Sequence, residues 1–199
     1  MELVYLDGSP FARIVRILIQ EWKLPVVCTE VCFPLPPEID ALTPLGQVPL
    51  LLREGQQALF PTLNIIECLS RFAAEGGEFQ YSGQTRETLV VALSAGDSLA
   101  QAAYQHWSGL GPVSDNGLGF EPGARNLDRF TRSVRWLAEN AEAEKIVCLA
   151  VAVFLYWARD RKVADLDLDD ACIGRFETFF SRPSFKATIP RPHGLAAGN

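Results

Sequence analysis

Ser9 is the residue whose position suggests chemistry most directly. It precedes Pro10 after a short turn, which is typical of a helix start with serine as N-cap and proline at the first helical position. The amino end of a helix favours an anion, including a thiolate. A dithiol redox site would need cysteines where Ser9 and Ala12 stand, so disulfide exchange is excluded there. Ser9 is either a helix cap or a hydrogen-bond donor to a ligand sulfur.

Thr62 has a similar double interpretation. It opens a predicted helix, so its hydroxyl is expected to cap that helix or, with nearby amides, to bind a carboxylate. The stretch before it predicts a strand from Val48 to Arg53, a tight turn at Glu54-Gly55 and a second short strand from Gln57 to Phe60. Pro49 cannot donate to a strand ladder, and the Val48-Pro49 bond is a candidate cis peptide.

Hydrophobic periodicity predicts the elements that position these residues. Strands at Leu3–Leu6 and Val26–Val31 flank the helix that begins after Ser9, which gives a β-α-β unit. The apolar stripes of the two N-terminal helices are expected to be Phe11, Ile14, Val15, Leu18 and Trp22, then Leu63, Ile66 and Leu69. After a linker at 76–84, helices are predicted at 85–107, 126–140, 145–162 and 169–181, with a glycine-rich loop at 108–123.

The order of these motifs resembles the glutathione-binding half of the cytosolic glutathione transferases. The matching residues are Pro44, Gly46, Val48, Pro49, Leu51, Thr62, Ile65 and Leu69. Ser9 to Arg16 resembles the start of the first helix in that family, and Arg182 to Phe185 resembles its common C-terminal segment. The resemblance implies an α/β thioredoxin-like N-terminal domain over residues 1–80. It also implies an all-α helical-bundle C-terminal domain over residues 85–199.

The resemblance also implies a reaction and its residues. Ser9 is then the catalytic residue, and it stabilises the thiolate of bound glutathione while that thiolate attacks a small hydrophobic electrophile. The implied glutathione-binding residues are Ser9, Phe11, Gln47, Val48, Pro49 and Thr62, and the implied lining of the second-substrate pocket is Phe11, Tyr104 and Trp107. Glutathione would be a co-substrate, and a cytoplasmic homodimer is expected.

Two alternatives belong to other classes. The first is a non-catalytic glutathione transferase-like binding or regulatory protein with weak glutathione affinity. The second, a glutaredoxin-like reductase, is disfavoured by Ser9 and Ala12. The aromatic residues of the proposed pocket, and His106 beside them, are also compatible with ordinary packing.

Three departures from the family pattern bear on the interpretation. Pro61 stands where an acidic residue or glutamine usually meets the α-amino group of glutathione, so binding is expected to be weakened. Asp97 or an acid from a partner subunit is a candidate substitute. The segment 142–145 lacks the usual capping box before the central helix, and Thr43 replaces a frequent asparagine. The missing capping box concerns folding, and the change at position 43 is expected to have little effect.

Composition excludes several other classes. The net charge is −6, with 48% hydrophobic and 21% charged residues, so no basic nucleic-acid face is expected. The longest apolar run, 146–158, is shorter than the roughly 20 residues that span a bilayer, and the start of the sequence lacks the basic region of a signal peptide. The five cysteines lack metal-ligand spacing, so no metal site is expected, and their odd number favours reduced thiols in the cytoplasm.

Overall fold

The computed structural model describes residues 1–75, 77–108, 121–141, 143–163 and 165–192. The chain forms two compact units. One contains Met1–Tyr81 together with the chain from Ser181 onward, and the other contains Ser82–Phe180. The sequence predicts a second domain over residues 85–199. In the structure, the chain from Ser181 onward belongs instead to the N-terminal unit.

The N-terminal unit is built on a small mixed sheet with strand order β2-β1-β3. Strand β1 (Glu2–Tyr5) leads into helix α1 (Pro10–Glu21), and β2 (Val27–Glu30) then pairs parallel to β1. After the short helix α2 (Pro37–Asp40), strand β3 (Leu50–Leu52) pairs antiparallel to β1. The unit continues with helix α3 (Thr62–Ser70). The β-α-β start therefore agrees with the prediction.

The second predicted strand of the hairpin is reduced to one antiparallel bridge between Leu51 and Leu59. Two hydrogen bonds form it, from the Leu51 amide to the Leu59 carbonyl at 3.0 Å and back at 2.9 Å. The side chain of Arg53 donates to the Gln57 carbonyl at 3.2 Å, and Pro61 has no amide to extend the ladder. Gly55 has a φ of 65°, as the predicted turn requires.

The apolar faces of α1 and α3 differ from the predicted stripes. In α1, Ala12, Ile17 and Ile19 are buried in addition to the predicted aliphatic positions, whereas Phe11 and Trp22 are only half-buried. The reason is that α1 packs against α3 and also against helix α8 (Pro183–Lys186). In α3 the prediction of Leu63 as a core residue is wrong. Leu63 is half-buried, and Thr62 and Ile65 are buried instead.

The C-terminal segment completes the core of the N-terminal unit. Phe185 of α8 is fully buried, and the Arg13 guanidinium lies 4.0 Å from the centre of its ring. Arg13 is only 2% exposed, and it donates to the Phe185 carbonyl at 3.0 Å and to the Thr188 hydroxyl at 3.4 Å. These contacts explain why residues after 181 belong with the N-terminal unit.

The second unit is helical. It contains α4 (Gly83–Trp107), α5 (Pro122–Asn140), α6 (Lys145–Asp160) and α7 (Asp170–Glu177), and α7 continues into a 3-10 turn at Thr178–Ser181. Helix α6 is buried on all sides from Ile146 to Leu155, as predicted for a central helix. It packs against α4, α5 and α7.

Helix α5 starts earlier than the sequence predicts. The sequence predicts a loop through Gly123 and a helix from Asn126, but α5 begins at Pro122. The Glu121 carboxylate accepts from the Gly123 amide at 2.9 Å and from the Ala124 amide, so an acidic cap starts the helix one turn earlier. The rest of that loop, 109–120, lies outside the described residues, as does Glu142 of the missing capping box. Glu144 precedes α6 without a side-chain capping bond in the described chain.

Candidate functional site

Ser9 occupies the N-cap of α1, as the sequence predicts. Its hydroxyl oxygen accepts a hydrogen bond from the Ala12 amide at 3.3 Å. The Ser9 amide donates to the Leu6 carbonyl at 3.1 Å, and the Ser9 carbonyl accepts from the Arg13 amide at 3.0 Å. Because the Ser9 hydroxyl acts as an acceptor toward the helix, its own proton is available to a ligand that approaches the half-buried side chain.

Strand register places Val48 at the same end of the sheet as Ser9. Leu50 pairs with Val4 in the antiparallel β1–β3 ladder, so the residues before Leu50 extend past the carboxyl end of β1. The turn that carries Ser9 leaves β1 at that end. Within the described residues, no hydrogen bond involves the Val48 amide or carbonyl, so both are available to an extended ligand. The Val48-Pro49 bond is cis, as are Phe33-Pro34 and Phe60-Pro61.

The amino end of α3 lies at this end of the sheet as well. The bridge between Leu51 and Leu59 is antiparallel, so the chain after Leu59 runs back past the level of Leu50 before α3 begins. Three segments from different parts of the chain therefore converge beyond the carboxyl end of β1. They are the Ser9 turn, the residues just before β3 and the start of α3.

The start of α3 corrects the expected role of Thr62. Of the two roles that the sequence allows for Thr62, helix cap and carboxylate ligand, the first is not seen. Thr62 is the first residue of the helix, and Pro61 occupies the cap position without a side-chain hydrogen bond. Within the described chain, the amides of Thr62, Leu63 and Asn64 donate no hydrogen bond to a backbone carbonyl. A helix end with free amides favours an anion. This end is therefore suited to a carboxylate, with the amides as the principal donors.

A comparison with protein families identifies the segment that carries this site. Residues 8–71 match the family described as "Glutathione S-transferase, N-terminal domain". This stretch is therefore similar to a glutathione S-transferase N-terminal domain. The matched segment contains the Ser9 turn, the residues before β3 and the start of α3.

Solved structures with low sequence identity share the fold of the whole chain. A glutathione S-transferase from Methylobacillus flagellatus KT with glutathione bound has a TM-score of 0.78 at 22% identity, covering 96% of this chain and 99% of its own. A glutathione transferase family member from Pseudomonas fluorescens Pf-5 with bound glutathione has 0.73 at 22% identity, covering 96% and 98%. Gtt2 from Saccharomyces cerevisiae has 0.70 at 17% identity, covering 94% and 100%. No curated protein matches the sequence significantly.

The remaining predicted ligand residues of the N-terminal unit differ in exposure. Gln47 is exposed, Phe11 is half-buried and Pro49 is buried. Pro61 is exposed at the start of α3, where its ring offers neither a hydrogen-bond donor nor a side-chain acceptor. Thr43 is buried, and its hydroxyl accepts from the Leu45 amide at 3.1 Å, which stabilises the loop before Gln47.

The residues predicted to line the second-substrate pocket are divided between the two units. Phe11 belongs to the N-terminal unit, whereas Tyr104 and Trp107 belong to the helical unit. Those two rings meet edge to face with centres 5.9 Å apart, and Trp107 makes a similar contact with Trp157 at 5.6 Å. Trp157 was not predicted because it lies in the uniformly apolar helix α6. The pocket itself stays a prediction.

Sequence reasoning also missed a charged cluster beside Ser9. The Asp7 carboxylate accepts from the Arg16 guanidinium at 3.1 Å and from the Arg191 amide at 2.7 Å. Arg191 also forms an ion pair with Glu30. The guanidinium of Arg16 lies 4.3 Å from the centre of the Tyr5 ring, and burial raises the pKa of the Tyr5 hydroxyl, which is therefore neutral at pH 7. Residue 191 is too distant in sequence to predict at this site.

No other feature of the described residues indicates a different chemistry. Within the described ranges, no group of His, Cys, Asp or Glu side chains is arranged to hold a metal ion. Among the helices described, none is both long enough and apolar enough to cross a membrane.

Proposed function

We propose that this protein binds glutathione at the carboxyl end of β1 and transfers its thiolate to a small hydrophobic electrophile. Ser9 is the proposed catalytic residue, because its hydroxyl donates a hydrogen bond to the sulfur and favours the thiolate. Val48 pairs its main chain with the cysteinyl part of glutathione, and the amides at the start of α3, with Thr62, bind the γ-glutamyl carboxylate.

One observation carries this proposal. Ser9 caps α1 by accepting from the Ala12 amide, which leaves the hydroxyl proton for a ligand at the positive end of the helix dipole. Both features stabilise a negative sulfur. The glutathione bound in the Methylobacillus and Pseudomonas structures supports the choice of ligand.

A second candidate function is favoured by Pro61. At neutral pH the α-amino group of glutathione is a cation, and Pro61 offers it no acceptor. A protein of this fold that binds glutathione weakly and acts as a binding or regulatory partner would tolerate such a residue. Retention on immobilised glutathione, followed by a conjugation assay with an activated aryl halide, distinguishes the two functions. Retention without turnover favours the binding protein.

The deciding experiment for catalysis is Ser9→Ala. We expect the thiol pKa of bound glutathione to rise and the conjugation rate to fall by on the order of 100-fold or more, as for loss of one preorganised donor. The free energy of unfolding should fall by only about 1 kcal/mol, the usual value of a lost N-cap. Unchanged turnover in the variant would reduce Ser9 to a helix cap.

The cellular setting and assembly belong to the same proposal. All five cysteines are free, and Cys28 and Cys32 are exposed, which suits a reducing compartment such as the cytoplasm. The homodimer follows from the family resemblance. Light scattering in solution tests it, and a monomeric mass at working concentrations would contradict it.

A further inference from the structure

The C-terminal segment contacts the chain both before and after Ser9. Two residues before Ser9, the Asp7 carboxylate accepts from the Arg191 amide at 2.7 Å. Four residues after Ser9, the Arg13 guanidinium donates to the Phe185 carbonyl at 3.0 Å. Residues 185–191 therefore contact both flanks of the proposed catalytic residue.

The Asp7 contacts use both oxygens of one carboxylate. Oδ1 accepts from Arg16 in the second turn of α1, and Oδ2 accepts from Arg191. The carboxylate is only 13% exposed, so its orientation is constrained by partners more than by water. Asp7 thereby joins three elements: the turn after β1, helix α1 and the C-terminal segment.

Arg191 is suited to this attachment by its neighbours. Pro190 and Pro192 have no amide hydrogen, so the Arg191 amide is the single backbone donor among these three residues. Its side chain pairs with Glu30 at the end of β2. The segment is therefore held to the carboxyl ends of the two parallel strands by a main-chain bond and an ion pair.

We infer that Asp7 and Arg191 are positioning residues for Ser9, which hold the turn so that the Ser9 hydroxyl points at the ligand sulfur. This inference rests on the proposed role of Ser9. A hydrogen-bond donor stabilises a developing charge only when its placement is fixed within a fraction of an ångström. Contacts that fix the two flanks of Ser9 supply that constraint without touching the ligand.

The test is the thiol pKa of bound glutathione, followed by the ultraviolet absorbance of the thiolate, in Asp7→Asn. The asparagine amide cannot accept on both sides, so one of the two contacts is lost. We expect a raised thiol pKa and a loss in kcat/KM smaller than that of Ser9→Ala. The sign is informative, because removal of a nearby negative charge by field alone would lower the thiol pKa.

Glu21→Gln is the matched control. It makes the same change from carboxylate to amide and also weakens the attachment of the C-terminal segment, because Glu21 accepts from Arg182 at 2.9 Å. Glu21 lies at the far end of α1 from Ser9. We expect lower stability with an unchanged thiol pKa. A thiol pKa raised equally by both variants would overturn the inference in favour of general loosening.

Two further variants keep the result decisive. In a Ser9→Ala background, Asp7→Asn should no longer raise the thiol pKa, and an equal rise in both backgrounds would overturn the inference. If Asp7→Asn does not fold, Glu30→Gln replaces it, because it weakens the ion pair that holds Arg191. It also removes a negative charge, whose field alone would lower the thiol pKa, so we expect a small rise, and no rise overturns the inference. Absence of any Ser9→Ala effect would instead refute the proposed function itself.

Discussion

Pro61 lies exposed at the start of α3, where the amides of Thr62 and Leu63 face the proposed carboxylate. Replacing it by an acid supplies the acceptor that the α-amino group of glutathione lacks. A charge-assisted hydrogen bond is worth roughly 1.5–3 kcal/mol, or about 10- to 150-fold in affinity. We therefore expect Pro61→Glu to bind glutathione several-fold or more tightly in calorimetric titration.

The control for this gain is Gln56→Glu, an exposed position in the turn at the opposite end of the sheet. It adds the same charge where the ligand amine cannot reach, so its affinity for glutathione should match that of the parent protein. Equal affinities for the Pro61→Glu and parent proteins would mean that another acid already pairs with the amine or that glutathione is not the ligand.

Gly96 is required by a close approach inside the helical unit. A Cβ added there would lie 2.1 Å from Cζ of Phe154, whose side chain is fully buried. We expect Gly96→Ala to lower the free energy of unfolding by about 1–3 kcal/mol through overpacking, measured by urea denaturation.

Gly174→Ala is the matched control because nothing lies within 4 Å of its added Cβ in helix α7. The same substitution there should raise stability by about 0.5–1 kcal/mol, since alanine is the better helix former. Similar stability changes at the two positions would show that the Phe154 contact does not constrain Gly96.

At the scale of elements, the end of α1 is tied to the C-terminal segment by one arginine. Arg182 donates to both oxygens of Glu21, at 3.0 and 2.9 Å, and to Glu78 at 3.1 and 2.9 Å. Its guanidinium also lies 4.9 Å from the centre of the Phe79 ring. Arg182, which directly precedes α8, therefore joins the end of α1 to the chain at Glu78 and Phe79.

This contact predicts a pH dependence of stability. The hydrogen bond from Arg182, followed by that from Ser184, lowers the pKa of Glu21 below its usual value. A depressed folded-state pKa stabilises the protein above the pKa of the unfolded state, and this stabilisation is lost as pH falls through the folded value. Glu21→Gln should therefore flatten the acid side of a plot of unfolding free energy against pH.

Glu78→Gln is the comparison, because Glu78 is 48% exposed where Glu21 is 16% exposed. More exposed ion pairs contribute less, so the acid limb of the Glu78→Gln plot should stay close to that of the parent. Equal acid slopes in the parent and the Glu21→Gln protein would mean that the contact between Arg182 and Glu21 does not contribute to the free energy of unfolding.

Local chemistry explains which elements the sequence predicts well. Ser9 and Pro10 specify the start of α1, and the uniformly apolar run in α6 specifies a central helix. Both signals lie within a few residues of the structure they determine. The start of α3 at Thr62 agrees with the prediction. The capping role of Thr62 does not, since a threonine followed by apolar residues has the same pattern whether it caps the helix or opens it.

The rest of the site depends on contacts that are distant in sequence. Arg13 looks like a surface residue of an amphipathic helix, yet it is buried because Phe185 and Thr188 pack over it. Asp7 looks like an ordinary turn residue, yet its partner is Arg191. Burial and pairing of this kind are set by the path of the chain across more than a hundred residues, which periodicity cannot indicate.

At the scale of the whole molecule, the N-terminal unit is discontinuous in sequence. A fragment of residues 1–81 lacks Phe185 and the partners of Arg13, and loss of a buried phenylalanine alone costs about 3–5 kcal/mol. That is a large part of the stability of a small domain. We expect this fragment to show no cooperative thermal transition by circular dichroism.

A synthetic peptide of residues 181–192 should restore a transition to the fragment. The same peptide with Phe185→Ala is the control and should fail to do so. A cooperative transition of the fragment alone would show that the C-terminal segment is dispensable for this unit.

The attachment of Arg191 to Asp7 has a consequence for how the protein is made. Residues 82–180, which form the helical unit, are all synthesised before residue 191. At typical translation rates of 5–20 residues per second, the segment that covers Arg13 follows α1 by roughly 8–33 s. The end of the sheet that carries Ser9 is thus synthesised first and completed late, so a chain interrupted late in translation would carry a finished helical unit and an unfinished Ser9 turn.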